Sequence, residues 1–72
     1  MPNSVYKKIE LVGTSSVSIS EAINNAIGTA AQSVDHLGWF EVQEIRGNIQ
    51  DGKVSQYQVA LKLGFRVDHA DD

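Results

Sequence analysis

Apolar and polar positions alternate along three segments of the chain and switch to a helical period in one. In residues 5–13, VYKKIELVG, Val5, Ile9 and Leu11 share one parity and Tyr6, Lys8, Glu10 and Val12 the other. A period of two reads as a strand with one mostly apolar face, Lys7 being its exception. Gly13, Thr14 and the serines behind them should end it.

From Ser18 the period changes. Ser18 followed three residues later by Glu21 is a capping-box signature, each side chain satisfying a backbone N–H of the first helical turn. Ile19, Ile23, Ala26, Ile27, Ala30 and Val34 then recur at helical spacing as one apolar stripe, predicting a helix over about 19–35. Asn24, Asn25 and Gly28 are mediocre helix formers, so packing must stabilise it.

Two long strands follow, residues 39–49 and 54–67, joined by Gln50-Asp51-Gly52-Lys53. Asp-Gly favours the positive φ angles of a type I′ turn and predicts a hairpin. On its second arm Tyr57, Val59, Leu61, Leu63, Phe65 and Val67 alternate with Gln56, Gln58, Ala60, Lys62, Gly64 and Arg66. The apolar row needs a cover, and the one amphipathic helix supplies it. The predicted fold is α+β, in the order β-α-β-β, a three-stranded antiparallel sheet curled over one helix. A two-residue turn sets the register. It pairs Phe40 with Leu63 and Val42 with Leu61 on the helix side, and Trp39 with Gly64, Glu41 with Lys62 and Ile45 with Gln58 on the outer side. His36 falls at the expected helix end, where a cation is favoured, and reads as a cap.

Length changes the picture. A 72-residue chain is one domain, here 1–72 with an ordered core of about 4–67 and an acidic tail over 68–72. A chain this small buries only about 60% of its unfolded surface, and such scaffolds need disulfides, a metal or oligomerisation. There is no cysteine, and His36 and His69 are not in a metal-ligand spacing. Oligomerisation remains, with the outer-face residues Trp39, Ile45 and Val54 as its expected apolar contacts. A net charge of −3 speaks against a nucleic-acid partner. Residues 1–8 lack the apolar core of a signal peptide and no apolar run reaches bilayer length, so no membrane partner and a cytoplasmic location are expected.

Candidate chemistry gathers on the outer face of the hairpin. Trp39 is the chain's one tryptophan and faces Gly64, whose missing side chain lets a flat object approach the strand. An aromatic beside open backbone can form a stacking platform. By composition alone an interface or core aromatic is the commoner role for such a residue. Gln58 by itself reads as a solvated strand residue, Arg46 as an ion-pair partner of Glu44, and Glu41 with Lys62 as a cross-strand ion pair. No nucleophile–base pair or metal constellation is visible, so no catalytic residue and no metal site are expected.

Three blocks, VYKKIELVGTS, WFEVQEIRG and YQVALKLGFRV, in this order and spacing, closely resemble the dodecin family over about residues 4–67. That resemblance implies a hollow homododecamer of β-α-β-β subunits that binds flavins between subunits, stores or sequesters them, quenches their excited state and is not an enzyme. It implies that Trp39 stacks on the isoalloxazine and Gln58 hydrogen-bonds its polar edge. Arg46 is similar to the arginine of members that favour FMN, and Arg66 to a second basic position near the site. FMN is the expected ligand, with riboflavin, FAD or lumichrome as other candidates. Coenzyme A is a further one, contacted by Lys7 and Arg66. Gly38 departs from the pattern, since many bacterial members carry an acidic residue there.

The physical chemistry runs parallel. A flat, amphipathic ring system calls for an aromatic face and amide partners, which glutamine supplies with a donor and an acceptor on one group. A phosphate suits the forked guanidinium of arginine. Trp39 and Gln58 lie six strand positions apart, roughly 20 Å at about 3.4 Å per residue, too far for one ring. A complete site must then combine subunits. The other reading is a ligand-free oligomerisation module in which Trp39 seals an interface.

Overall fold

The computed structural model describes residues 3–68. The chain forms β1 (Tyr6–Ser15), α1 (Ile19–Ala30), β2 (Leu37–Gln50) and β3 (Lys53–Arg66). The sheet order is β1-β3-β2 with both pairs antiparallel, so the expected β-α-β-β class holds, with β3 in the centre. Beyond Asp68 the expected acidic tail lies outside the described residues.

Ser18 caps α1 as its sequence suggests, its hydroxyl accepting from the Glu21 backbone N–H at 2.9 Å. The reciprocal arm differs: the Ser18 N–H donates to the Ser15 hydroxyl at 3.3 Å rather than to Glu21. Asn25, a poor helix former, is held by donating from its side chain to the Thr14 carbonyl at 3.0 Å. The helix is five residues shorter than expected. After Ala30 the chain tightens into three-residue bonds, Gln32 N–H to Thr29 O at 3.2 Å and Ser33 N–H to Ala30 O at 3.1 Å, a common way for a helix to end. His36 is therefore not a helix cap. It holds a left-handed φ of 64° at the mouth of β2, and its carbonyl accepts from the Arg66 N–H at 3.3 Å.

The core is where α1 meets β3: Ala22, Ala26 and Ala30 pack on Val59, Leu61 and Leu63. Ala22, outside the expected stripe, is fully buried, whereas Ile19 is 37% exposed. Small side chains bring the helix so near β1 that a Cβ on Gly13 would overlap the Ala22 carbonyl. Pairing with Val59, Gln58 and Tyr57 keeps Gly13, Thr14 and Ser15 inside β1, where a turn was expected.

At about 1.5 Å per residue the 12-residue helix spans roughly 18 Å, while a 14-residue strand spans roughly 47 Å. The hairpin therefore juts past its cover. The subunit measures 55 × 20 × 14 Å, and its radius of gyration of 15.0 Å exceeds the about 11 Å of a compact chain of this length.

The Asp51-Gly52 turn forms as predicted, both residues at positive φ (55° and 75°). Trp39, Phe40, Glu41 and Val42 face Gly64, Leu63, Lys62 and Leu61, as expected. Between these pairs and the turn the register departs. Bulges that skip Ser55 on β3 and Gln43 on β2 offset one another, so residues 39–42 and 49–50 of β2 keep the simple register and residues 44–48 do not. Ile45 consequently pairs with Val59 on the helix side rather than with Gln58, and Arg46 takes the position opposite Gln58. Val54 pairs with Ile49 and joins Ile19, Ile45 and Tyr57 around a helix-side groove of about 270 Å³. Ile45 and Val54 are thus not outer-face contacts. The uncovered apolar row is on the helix side of β2, where Phe40, Val42 and Ile45 are 48%, 41% and 54% exposed.

Candidate functional site

The outer face has two polar centres at opposite ends of the hairpin. At the first, the indole of Trp39 lies flat across Gly64. A Cβ there would overlap Cε2 and Cζ2 of the ring and come within 2.5 Å of Cη2. The space above Gly64 is thus filled by the chain's own tryptophan, so only the far side of the ring can meet another molecule; the residue as a whole is 40% exposed. Tyr6 on β1 closes one edge, its ring centroid 5.3 Å away at an interplanar angle of 67°. Such edge-to-face contact fixes the ring while leaving a face free.

The indole is also anchored through its nitrogen. Trp39 Nε1 donates to Glu41 Oε2 at 2.8 Å, and Lys8 Nζ sits 3.2 and 3.3 Å from the two Glu41 oxygens. Lys8 lies opposite Gly64 on β1, so it reaches across the bare glycine. The ion pair expected between Glu41 and Lys62 is thus replaced by one with Lys8, although Glu41 and Lys62 are direct cross-strand partners. The indole hydrogen bond first, then Lys8, holds the Glu41 carboxyl below the usual glutamate range, and the charge of Lys62 adds to this.

At the second centre Arg46 and Gln58 face one another across the strands, beside the pair Asn48 and Gln56. Gln58 is half-buried and donates from Nε2 to Gln56 Oε1 at 2.9 Å, so it is not a freely solvated side chain. Glu44 shares the face of Arg46, yet among the described residues Arg46 makes no ion pair. Its guanidinium remains available.

Arg66 belongs to the first centre, opposite Tyr6 on β1. Its Nε is 3.2 Å from Asp68 Oδ1, without the alignment of a hydrogen bond. Lys7 pairs with Phe65, the neighbour of Arg66, and successive strand positions point to opposite faces. Lys7 and Arg66 therefore do not converge within a subunit, contrary to the joint contact expected for coenzyme A. The four expected site residues thus fall into two groups, Trp39 with Arg66 and Gln58 with Arg46. Gly64 and Gln58 are six residues apart on β3, roughly 20 Å.

Tyr6, Lys8, Glu41 and Gln56 did not emerge from the sequence as site residues. Glu41 was within reach of it, being two positions from Trp39 on the same strand face. The other three needed the pairing of β1 with β3 or the local register around the bulges. Gly38 is skipped in the register between Leu37 and Trp39, and a Cβ on it would meet only Gly64 O at 3.8 Å. The acidic side chain expected at that position would fit.

A short helix on a long hairpin, an uncovered apolar row on one face and a half-exposed, anchored tryptophan on the other define a self-associating subunit with an aromatic surface. The dodecin family model matches residues 5–68. The chain is 52% identical over 64 residues to a dodecin of Thermus thermophilus, covering 89% of this chain and 93% of that one. It superposes with a TM-score of 0.89 on the crystal structure of the tt0972 protein of Thermus thermophilus, at 48% identity over 94% of this chain and all of the other. The score is again 0.89 for dodecin from Streptomyces coelicolor, at 46% identity over 97% of this chain and all of the other. The chain belongs to the dodecin family, and its membership supports a dodecin-type small-molecule-binding function. No helix among the described residues is long and apolar enough to cross a membrane.

Proposed function

We propose that the chain assembles into a closed dodecamer that binds FMN between subunits, stores it and quenches its excited state, without catalysing a reaction. The observation that carries this reading is the Trp39 indole, laid over Gly64, tied at Nε1 to Glu41 and open on its far face. The carboxylate on the same strand face satisfies the indole N–H and holds the ring in one orientation. An anchored, half-exposed aromatic suits the stacking of a flat ring system.

Arg46 supports the choice of FMN over riboflavin, since its guanidinium is free of ion pairs among the described residues and can accept a phosphate in its fork. Gln58 beside it offers an amide to the pyrimidine edge. Arg66 adds positive charge near Trp39, tempered by Asp68. The two centres are too far apart for one ring, so one copy supplies the indole and another the amide and the guanidinium. Closed symmetry uses every copy of such a contact.

The test is FMN titration followed by fluorescence, alongside native mass measurement. The parent should form a twelve-subunit particle that quenches bound FMN, and Trp39→Ala should keep the particle while losing the quenched binding. Only monomer at micromolar concentration, or a particle that binds no flavin, refutes the reading. A Trp39→Ala variant that falls to monomers would make Trp39 an interface residue instead.

A further inference from the structure

We infer that Gln56 is a positioning residue that fixes the orientation of the Gln58 amide and so sets which hydrogen-bonding edge the protein recognises. The inference rests on the flavin reading above, in which Gln58 contacts the ligand. Gln56 and Gln58 stand two residues apart on one face of β3 and are both half-buried. Gln56 Oε1 accepts twice, from Gln58 Nε2 at 2.9 Å and from Asn48 Nδ2 at 3.4 Å. The backbone that carries Asn48 is tied in turn, the hydroxyl of the bulge residue Ser55 donating to the Asn48 backbone carbonyl at 3.2 Å. The side-chain links run from Asn48 to Gln56 and from Gln56 to Gln58.

A primary amide carries two N–H donors and one carbonyl oxygen, and can turn over about its last torsion with little steric cost. Turning Gln58 over here would set its carbonyl oxygen against Gln56 Oε1, two acceptors with no proton between them. With one N–H committed to Gln56, Gln58 presents its carbonyl oxygen and its remaining N–H to a ligand in one fixed arrangement. That arrangement suits an edge with a donor next to an acceptor, as in an imide. Gln56 itself need not touch the ligand.

The test uses riboflavin, so that no phosphate contact with Arg46 enters, and the intact assembled protein. Gln56→Leu should weaken riboflavin binding about two- to tenfold, the range of one neutral hydrogen bond. Gln56→Glu, an obligate acceptor, should restore parent affinity. The same Gln56→Leu change made in a Gln58→Ala background should have no further effect, because its only route to the ligand is gone. Native mass measurement verifies that each variant remains assembled.

Three results would overturn the inference. They are parent-like binding by Gln56→Leu, binding by Gln56→Glu no better than by Gln56→Leu, and persistence of the loss in the Gln58→Ala background. A parent protein that binds no flavin sinks the underlying reading and this inference with it. A parent that binds flavin but is insensitive to Gln58→Ala leaves storage standing and removes Gln56 from it.

Discussion

Gly64→Ala isolates the stacking platform from the fold. A methyl group at this position would lie 2.5 Å from Trp39 Cη2 and overlap Cε2 and Cζ2. Carbon atoms pack at about 3.5–4.0 Å, so the six-membered ring must retreat by about 1 Å or more. Cε2 is bonded to Nε1, so the same movement pulls the indole nitrogen from Glu41, now 2.8 Å away. Two opposing effects act on stability. Alanine in a strand interior is about 0.5–1 kcal/mol better than glycine, and an off-rotamer indole costs about 0.5–1.5 kcal/mol. They nearly cancel, and the melting temperature should change little. Binding has no such compensation. Loss of the stacked geometry removes about 0.5–1.5 kcal/mol beyond area burial, roughly two- to tenfold in affinity, with the lost contact area on top. FMN titration by fluorescence, paired with a thermal melt and native mass, reads both sides. Parent-like affinity and quenching in an assembled Gly64→Ala protein would refute the placement of the platform.

Arg46→Ala should weaken FMN about ten- to a hundredfold more than riboflavin, the value of a charge-assisted hydrogen bond, measured by parallel titrations; equal losses would take the phosphate away from Arg46. The Glu41 carboxyl titrates below its usual range, so its support of Trp39 is complete above the usual glutamate range and is lost as pH falls through the lowered value. Quenched flavin binding should therefore weaken on that acid limb, and Glu41→Gln should flatten it; an unchanged limb in the variant would assign the pH dependence to another group.

The elements were legible because each rests on local chemistry. Ser18 marked the helix start, Asp51-Gly52 the turn, and the unbroken alternation from Tyr57 to Val67 a strand with one face buried under the helix. Pairing near Trp39 could also be read, but for an incomplete reason. One bulge on each arm, at Gln43 and Ser55, restores the simple register that the turn alone predicts. The same two bulges defeated the reading between them, where Ile45 was placed outside and Arg46 belongs there. Neither carries a glycine or proline to announce it, because a bulge inside a long hairpin is decided by how strands twist and pack. Helix length was overread because Val34 continues the apolar period through a tightened turn. Lys8 was illegible as a site residue because its place depends on which strand lies in the middle of the sheet. The split of the site into two centres survived all this, since it depends on the six-residue spacing within β3 and not on β2.

Assembly and the site are coupled through β2, whose alternate residues serve them separately. Phe40, Val42 and Ile45 point to the helix side and stay uncovered because α1 lies over β1 and β3 and not over the edge strand β2, while Trp39, Glu41 and Arg46 point outward. Burying the first set against another copy fixes where the second set can meet a neighbour. A change at Phe40 should therefore be felt by a flavin that Phe40 never touches. Fully burying a phenylalanine contributes about 1.5–3 kcal/mol, and Phe40 is still 48% exposed in the lone subunit. Roughly half of that, about 1 kcal/mol per copy, is left for association and recurs in every subunit of a closed particle. Phe40→Ser should shift the native mass distribution towards smaller species at low micromolar concentration and weaken FMN binding in parallel. Added FMN should reverse the shift, because a ligand that binds only the assembled form stabilises it by about 2.7 kcal/mol at a hundred times its Kd. Far-UV circular dichroism separates dissociation from unfolding, and Ile45→Ser provides a second lesion in the same row. If both variants keep the parent's particle size and FMN affinity, the uncovered row of β2 is not the interface and the two faces are independent.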